Sequence, residues 1–142
     1  MSQLFFGHPE SPLFGVYHAP RGIANPKMAP RAVVLCPPIG QEYIRSHWQL
    51  RMMGAQLARR GMHVLRFDYH GFGDSAGRVE DVDSLEIWTR NIEQATEHLT
   101  KVSGAQSVML VGQRMGGMLA GMVARTRIDV NSVILWLSLI HI

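Results

Sequence analysis

Residues 111–117 read Val-Gly-Gln-Arg-Met-Gly-Gly, and they separate two apolar segments of different period. The segment before them, Val108–Val111, is continuously apolar, which is typical of a buried strand. In the segment after them the apolar residues step by three and four, which is typical of a helix: Met115, Met118, Leu119, Met122 and Val123. The pattern predicts a strand, a tight turn and a helix whose methionines pack against a sheet.

The same alternation of strand and helix extends to both sides of this stretch. Compact apolar runs predict further strands at Ala32–Cys36, Val64–Tyr69 and Val133–Trp136. Helical spacing predicts a helix over His47–Arg60, with Trp48, Met52, Leu57 and Ala58 on one side, and an apolar stripe marks a second helix over Leu85–Val102. This order predicts a doubly wound, mostly parallel α/β sheet with helices on both faces.

The opening of the chain has a different pattern. Leu4–Phe6 and Leu13–Tyr17 are short apolar stretches around a cluster of turn residues, so they predict an antiparallel hairpin at the edge of the sheet. A stretch rich in Pro and small residues, Ala19–Arg31, then predicts a linker to the regular part of the chain.

Composition limits the class of protein. The 142 residues, with 46% hydrophobic and 18% charged content, predict a single globular domain. The net charge is +3, but the basic residues are scattered along the sequence, so neither a nucleic-acid nor a membrane partner is predicted. Cys36 is the single cysteine, the N-terminus lacks the pattern of a signal peptide, and no apolar run approaches a membrane span. These features predict a cytoplasmic protein.

The turn at residues 112–116 has the layout of a nucleophile elbow, Gly-x-Ser-x-Gly. Its glycines suit a tight turn that forces the central residue into a strained conformation. The central residue here is Arg114, and a guanidinium stays protonated and cannot attack a carbonyl. Two interpretations stay open: Arg114 anchors an anionic ligand beside the helix N-terminus, or it is a structural arginine paired with a carboxylate in the half of the domain that follows this chain.

Two further loops carry a resemblance. Residues 36–43 read Cys-Pro-Pro-Ile-Gly-Gln-Glu-Tyr, and residues 63–77 read His-Val-Leu-Arg-Phe-Asp-Tyr-His-Gly-Phe-Gly-Asp-Ser-Ala-Gly. Together with the elbow they resemble the α/β-hydrolase superfamily, and most closely its serine-aminopeptidase-like branch, which includes hydrolases associated with the exosortase A system. Some members of that branch also carry Gly-x-Arg-x-Gly at the elbow. The resemblance covers residues 32–136.

The resemblance implies roles for several residues. One oxyanion-binding N–H would come from the loop Ile39, Gly40 and Gln41, and the other from Met115. Asp68 and Ser75 would be structural parts of their loop. The acid and the histidine of the family follow the elbow at positions later than this chain extends. The resemblance therefore implies that residues 1–136 are the N-terminal half of a single hydrolase domain, truncated after about six strands.

The last six residues, 137–142, read Leu-Ser-Leu-Ile-His-Ile and depart from the family pattern. Our hypothesis is that they are a non-native tail, the translation of a sequencing adapter, and that native sequence ends near Trp136. Genomic DNA that encodes these six residues followed by a stop codon would contradict it.

Other motifs have a structural interpretation beside a functional one. Gly71-x-Gly73-x-x-Ala76 loosely matches a dinucleotide fingerprint, but the following helix is predicted to start near Val82, so tight turning is the preferred role. Cys36 is interpreted as a small core residue and not as a reactive thiol. His70 either lines the cleft or is a solvated turn residue. The histidines lack metal-ligand spacing, so neither a metal nor another cofactor is predicted.

Two hypotheses of function follow. In the first, the protein is of the ester, thioester or amide hydrolase or acyl transferase lineage and uses chemistry without an elbow serine. In the second, it is a non-catalytic, hydrolase-like protein that binds an acidic small molecule through Arg114 and the oxyanion loop. Either hypothesis predicts a small acyl or acidic ligand as the partner. The sequence leaves the oligomeric state open, and turnover by this chain alone is not expected.

Overall fold

The computed structural model describes residues 1–22 and 27–136. Part of the predicted linker and the whole of the proposed non-native tail, residues 137–142, lie outside the described residues. The described residues form six strands, three α-helices and one short 3-10 helix. In chain order these are β1 (Ser2–His8), β2 (Ser11–His18), β3 (Ala32–Cys36), α1 (Gln41–Arg59), β4 (His63–Phe67), the 3-10 helix (Val79–Asp81), α2 (Glu86–Ser103), β5 (Val108–Gln113), α3 (Met115–Ala124) and β6 (Val130–Trp136).

The strands form one mixed sheet in the order β1-β2-β4-β3-β5-β6. Strands β3, β4, β5 and β6 pair in parallel, as their helical connections require. β1 and β2 form the antiparallel hairpin that the opening segment predicts, and β2 joins the sheet antiparallel to β4. The prediction of a doubly wound, mostly parallel sheet is confirmed.

The core has two layers, one on each face of the sheet. On one face, Val34, Leu65 and Leu110 pack with buried residues of α2 and α3, among them Ile92 and Leu119. On the opposite face, a smaller cluster places Leu50 of α1 against the sheet, and its buried strand residues are Val33, Leu35, Val64 and Val111. β3 is buried along its whole length because it lies between these layers in the middle of the sheet. A strand in that position needs an apolar side chain at every residue.

Helix α1 corrects two predictions. It begins at Gln41, six residues before the predicted start at His47, immediately after Gly40 with φ 78°. Of the four residues predicted to share one side, Ala58 is buried and Leu57 packs against the core, but Trp48 and Met52 are 66% and 41% exposed. The row that faces the sheet is instead Ser46, Leu50, Gly54 and Ala58. Three of these four residues are small, so the helix lies close to the sheet, and hydrophobicity alone does not identify its buried side.

Helix α3 corrects the prediction for the methionine stripe. Met115, Met118 and Met122 are 39%, 47% and 40% exposed, so they do not pack against the sheet. The buried side of α3 contains its glycines, and its members are Gly116, Gly117, Leu119, Ala120 and Val123. Small residues again allow a close approach between helix and sheet. None of the helices in the described ranges is long and apolar enough to cross a membrane.

Candidate functional site

Arg114 alone forms the turn between β5 and α3. Strand β5 ends at Gln113 and the helix begins at Met115, so the chain reverses over one residue. Arg114 has φ 52° and ψ −118°, and in residues 1–22 and 27–136 no other residue except glycine has a positive φ. Its carbonyl oxygen accepts hydrogen bonds from the amides of Gly117 (2.9 Å) and Met118 (3.3 Å), which begin the helix. The central residue of the turn thus has the strained backbone conformation expected from the sequence.

The glycines on both sides of Arg114 are required by close backbone contacts. A Cβ atom on Gly116 would lie 2.3 Å from the carbonyl oxygen of Cys36 and 2.4 Å from that of Pro37. A Cβ atom on Gly112 would lie 2.3 Å from the Cα of Gly117. Any side chain at these positions would separate α3 from the ends of β3 and β5. The spacing Gly-x-x-x-Gly therefore follows from helix packing, and the central side chain is free to vary chemically.

The predicted oxyanion loop lies at this same end of the sheet. It follows Pro37, whose carbonyl oxygen lies against Gly116, and it leads into α1 through Gly40 at φ 78°. Residues Ile39, Gly40 and Gln41 thus lie between Pro37, which touches Gly116, and Glu42, which contacts Arg114. Met115 is the first residue of α3, and amides of a first helical turn have no acceptor within the helix. The structure brings the loop and Met115 to the same site, next to Arg114.

Glu42 completes this site, and sequence reasoning missed it. Its Oε2 lies 2.7 Å from Nε of Arg114, with side chains 39% and 29% exposed. Glu42 lies in the first turn of α1, where the helix dipole favours a negative charge. A carboxylate partner for Arg114 is therefore present, but it lies on α1, whereas the structural interpretation placed it in sequence beyond this chain. The signal in the sequence was an acidic residue two positions after the loop glycine.

Gln113 and Gln49 lie beneath the elbow. Gln113 is 2% exposed, and its Nε2 lies 3.4 Å from Oε1 of Gln49 on α1. Within the described residues its Oε1 is buried without a hydrogen-bond partner. A buried amide oxygen in that state costs free energy, so the residue before Arg114 is a polar and energetically unfavourable feature of the site.

The loop after β4 is organised by Asp68 and is structural, as the resemblance implies. The Asp68 carboxylate accepts hydrogen bonds from the Tyr43 hydroxyl and, at 3.1 Å, from the amide of Asp74. The Ser75 hydroxyl donates to the carbonyl oxygen of Asp68 (2.5 Å) and accepts from the amide of Phe14 (2.8 Å). Burial, and then the hydrogen bond to Asp68, raise the pKa of Tyr43, so this phenol stays protonated.

The remaining candidate residues serve the turn or the core. His70 does not line the elbow: its Nδ1 lies 3.2 Å from the Ser11 hydroxyl, and its ring packs against Gly77. No helix starts at the glycines of residues 71–76, because α2 begins at Glu86, and this contradicts the dinucleotide interpretation. Burial raises the pKa of Cys36, which is fully buried, so its thiol is a core residue. The described His, Cys, Asp and Glu residues form no group of three that could hold a metal ion.

Comparisons with known proteins agree with this arrangement. The family model for serine aminopeptidase S33 matches residues 29–141. No curated protein sequence matches the chain. Among solved structures, XC6422 from Xanthomonas campestris, described as an α/β serine hydrolase without a lid, is similar with a TM-score of 0.73 at 20% identity, over 94% of this chain and 59% of its own.

Two other solved structures show the same fold. Est1E from Butyrivibrio proteoclasticus, solved with ferulic acid bound, has a TM-score of 0.71 at 21% identity over 92% of this chain and 50% of its own. The α/β hydrolase GrgF from Penicillium sp. sh18 has a TM-score of 0.75 at 16% identity over 94% and 44%. The chain thus spans 44 to 59% of the length of these three proteins. Because the family model covers most of the chain, the protein belongs to the serine aminopeptidase S33 family of α/β hydrolases.

Proposed function

We propose that the elbow of this protein binds the carboxylate or carbonyl group of a small acyl ligand and does not act as a nucleophile. The observation that carries this proposal is the combination at Arg114 of a preserved elbow backbone with a guanidinium in the place of the attacking group. An arginine at a helix N-terminus provides a charge and oriented donors for a planar anion.

Each part of the site has a role in this proposal. The Met115 amide and an amide of the loop Ile39–Gln41 donate hydrogen bonds to a ligand oxygen, as an oxyanion hole does. The Arg114 guanidinium supplies the positive charge. Glu42 holds that guanidinium by its Nε in the absence of ligand and competes with the ligand for it. Since the pair is partly exposed to solvent, its net stabilisation is small and a ligand carboxylate can replace it.

The solved structure of Est1E supports the ligand class. That protein, with the same fold, was solved with ferulic acid, which is an aromatic carboxylic acid. Ferulate and short aliphatic carboxylates are therefore suitable first ligands to test against this chain.

A second candidate function is a hydrolase or acyl transferase of esters, thioesters or amides that does not use an elbow serine. The close contacts of Gly112 and Gly116 favour it, because they preserve the geometry that the family uses for acyl chemistry. It requires a nucleophile, such as an activated water, from outside the elbow.

Calorimetric titration of ferulate and of butyrate into three variants tests the proposal. We expect wild type to bind and Arg114→Ser to bind more weakly by about tenfold or by a larger factor. Glu42→Gln should bind more tightly because the competing carboxylate is gone. Arg125→Gln, at an exposed arginine just beyond α3, is the matched control and should bind as wild type does. Equal affinity of wild type and Arg114→Ser would contradict the proposal.

Hydrolysis of short p-nitrophenyl esters distinguishes the second candidate. Wild-type turnover that Arg114→Ala abolishes would favour an enzyme in which arginine takes part. A wild type that binds carboxylates without turnover supports a binding protein.

A further inference from the structure

The outer side of α1 carries a row of exposed apolar residues. Ile44, Trp48 and Met52 are spaced by four residues, so they lie one above the other along the helix. They are 74%, 66% and 41% exposed. The buried row of the same helix, from Ser46 to Ala58, packs on the sheet, and the exposed row lies on the opposite side. The sheet on which α1 packs therefore does not cover these side chains.

Arginines border this apolar row. Arg45 and Arg51 are three residues before and after Trp48 and are therefore its neighbours on the helix surface. Arg59, in the last turn, follows Met52 by seven residues, or two turns, on the same side of the helix. All three arginines are exposed. In the part of the chain that the structure describes, none of them has a carboxylate within ion-pair distance.

The negative charge of α1 lies elsewhere. Glu42 is the one acidic residue in the sequence of this helix, and it is directed to Arg114 at the elbow. The outer side of α1 is thus apolar and positively charged. The positive charge continues in two surface cavities, one of about 280 Å³ beside the C-terminal half of the helix and one of about 300 Å³ past its end. The lining of neither includes Asp or Glu, and their arginines are Arg21, Arg31, Arg51, Arg59 and Arg60.

We propose that the outer side of α1 binds the surface of an anionic lipid bilayer. An apolar row bordered by arginines is the pattern of a helix that lies in the plane of a membrane interface. Tryptophan is enriched at the level of the lipid headgroups, and arginines near the surface are attracted to anionic lipids. The positive charge of the patch excludes a basic partner. A partner held by charge alone would make no use of Trp48 and Ile44, which are apolar and exposed.

This inference does not depend on ligand binding at the elbow, since no residue of the apolar row belongs to that site. It departs from the prediction that no membrane is a partner, which rested on basic residues scattered along the sequence. The helical period gathers three of those residues on one surface. Binding of this kind leaves the helix at the surface and does not require a segment that spans the bilayer.

Vesicle flotation of the full chain tests the proposal. The vesicles are of phosphatidylcholine alone or of phosphatidylcholine and phosphatidylglycerol in equal parts. We expect binding to the mixed vesicles only, with weakening at high salt. Arg45→Gln and Arg51→Gln should each reduce binding about fivefold. Trp48→Ser should reduce it about tenfold, because a large apolar side chain no longer enters the interface. Ile128→Ser and Arg90→Gln, at exposed residues outside α1, are the matched controls and should bind as wild type does.

Fluorescence gives an independent readout. Mixed vesicles should shift the tryptophan emission of wild type to shorter wavelength, and Trp48→Phe should keep binding while losing most of that shift. Three outcomes would overturn the proposal. These are equal binding to neutral vesicles, binding that Trp48→Ser leaves unchanged, and a dimer in size-exclusion chromatography that Trp48→Ser converts to a monomer. The last would assign the apolar row to a second copy of this chain.

Discussion

The elbow and the Asp68 loop lie at the same end of the sheet, but different forces fix their conformations. At the elbow, the backbone of α3 presses against the backbone of β3, and the glycines make this contact possible. In the Asp68 loop, side chains make the contacts: the carboxylate of Asp68 and the hydroxyl of Ser75 together make three hydrogen bonds with the backbone and one with the Tyr43 hydroxyl. At the elbow, the residues that cannot change are therefore the glycines around Arg114. In the Asp68 loop, they are the residues that make the hydrogen bonds, Asp68 and Ser75.

This difference explains why an arginine can occupy the elbow without loss of the fold. The close contacts of the elbow involve Gly112, Gly116 and Gly117 and not the side chain of Arg114. The chemistry of the central residue can therefore change while the turn stays the same. In the Asp68 loop, a change of the central residue would remove the bonds that hold the loop.

The largest effect should come from Gly116→Ala. The added Cβ would lie 2.3 and 2.4 Å from two carbonyl oxygens at the end of β3, and backbone atoms in the middle of a sheet cannot move aside. We expect a loss of about 3 kcal/mol in the free energy of unfolding, measured by urea denaturation.

Gly121→Ala is the matched control on the same helix. A Cβ atom at Gly121 meets nothing within 4 Å, and this glycine has no positive φ. Alanine should therefore raise the stability by about 0.5–1 kcal/mol through its better helix propensity. Similar effects of the two substitutions would contradict the close contact at Gly116.

The sequence predicts best those features that depend on local pattern. The predicted bounds of β3, Ala32–Cys36, equal the observed ones, because a strand buried on both sides must be apolar throughout. The elbow at Arg114 was predicted from the glycine spacing, because that spacing is itself the packing requirement. The hairpin of β1 and β2 was predicted from a local cluster of turn residues.

Features that depend on close packing or on distant partners were not predicted. The exposed positions of Trp48 and Met118 were missed because small residues form the buried rows of α1 and α3, and these contribute little to a hydrophobic pattern. Glu42 was missed because its contact with Arg114 joins the first turn of α1 to the turn before α3, and only the folded sheet brings these together. The start of α1 was missed because its first two residues, Gln41 and Glu42, are polar.

The second effect concerns the Asp68 loop. Asp68→Ala removes the acceptor for the Tyr43 hydroxyl and for the amide of Asp74, and Asp68 is 7% exposed. We expect a loss of about 2–3 kcal/mol because partly buried donors lose an ionised acceptor. Asp74→Ala, at an exposed side chain, should change the stability by less than about 0.5 kcal/mol. Equal losses for the two variants in urea denaturation would show that the Asp68 carboxylate does not organise the loop.

A third effect is the pH dependence of stability, and it involves β4, the strand that ends just before Asp68. Arg66 Nε donates to His18 Nε2 at 2.9 Å, and both residues are buried. Burial, and then the charge of Arg66, lower the pKa of His18 from 6.5 to about 4. The unfolded chain therefore binds more protons than the folded one between these values, so the stability contribution is complete above pH 6.5 and declines as the pH falls toward 4.

Urea denaturation across this pH range measures the effect. From the shift we expect the wild type to lose roughly 2 kcal/mol between pH 7 and pH 4 on account of His18. His18→Gln keeps an acceptor for Arg66 and cannot titrate, so this part of the decline should be absent. An unchanged pH dependence in the variant would show that His18 is not the responsible group.

The smallest predicted effect is the difference in stability between two substitutions of Arg114 at the elbow. Arg114→Ala keeps a side chain at φ 52° and therefore keeps the backbone strain, whereas Arg114→Gly relieves it. Both lose the ion pair with Glu42, so their difference isolates the conformation. We expect the glycine variant to be more stable than the alanine variant by about 1 kcal/mol in urea denaturation. At Gly121 the order should be the reverse, with alanine the more stable. If alanine is the more stable residue at both positions, the turn at Arg114 holds no strain, and the preserved elbow geometry ceases to support a functional site there.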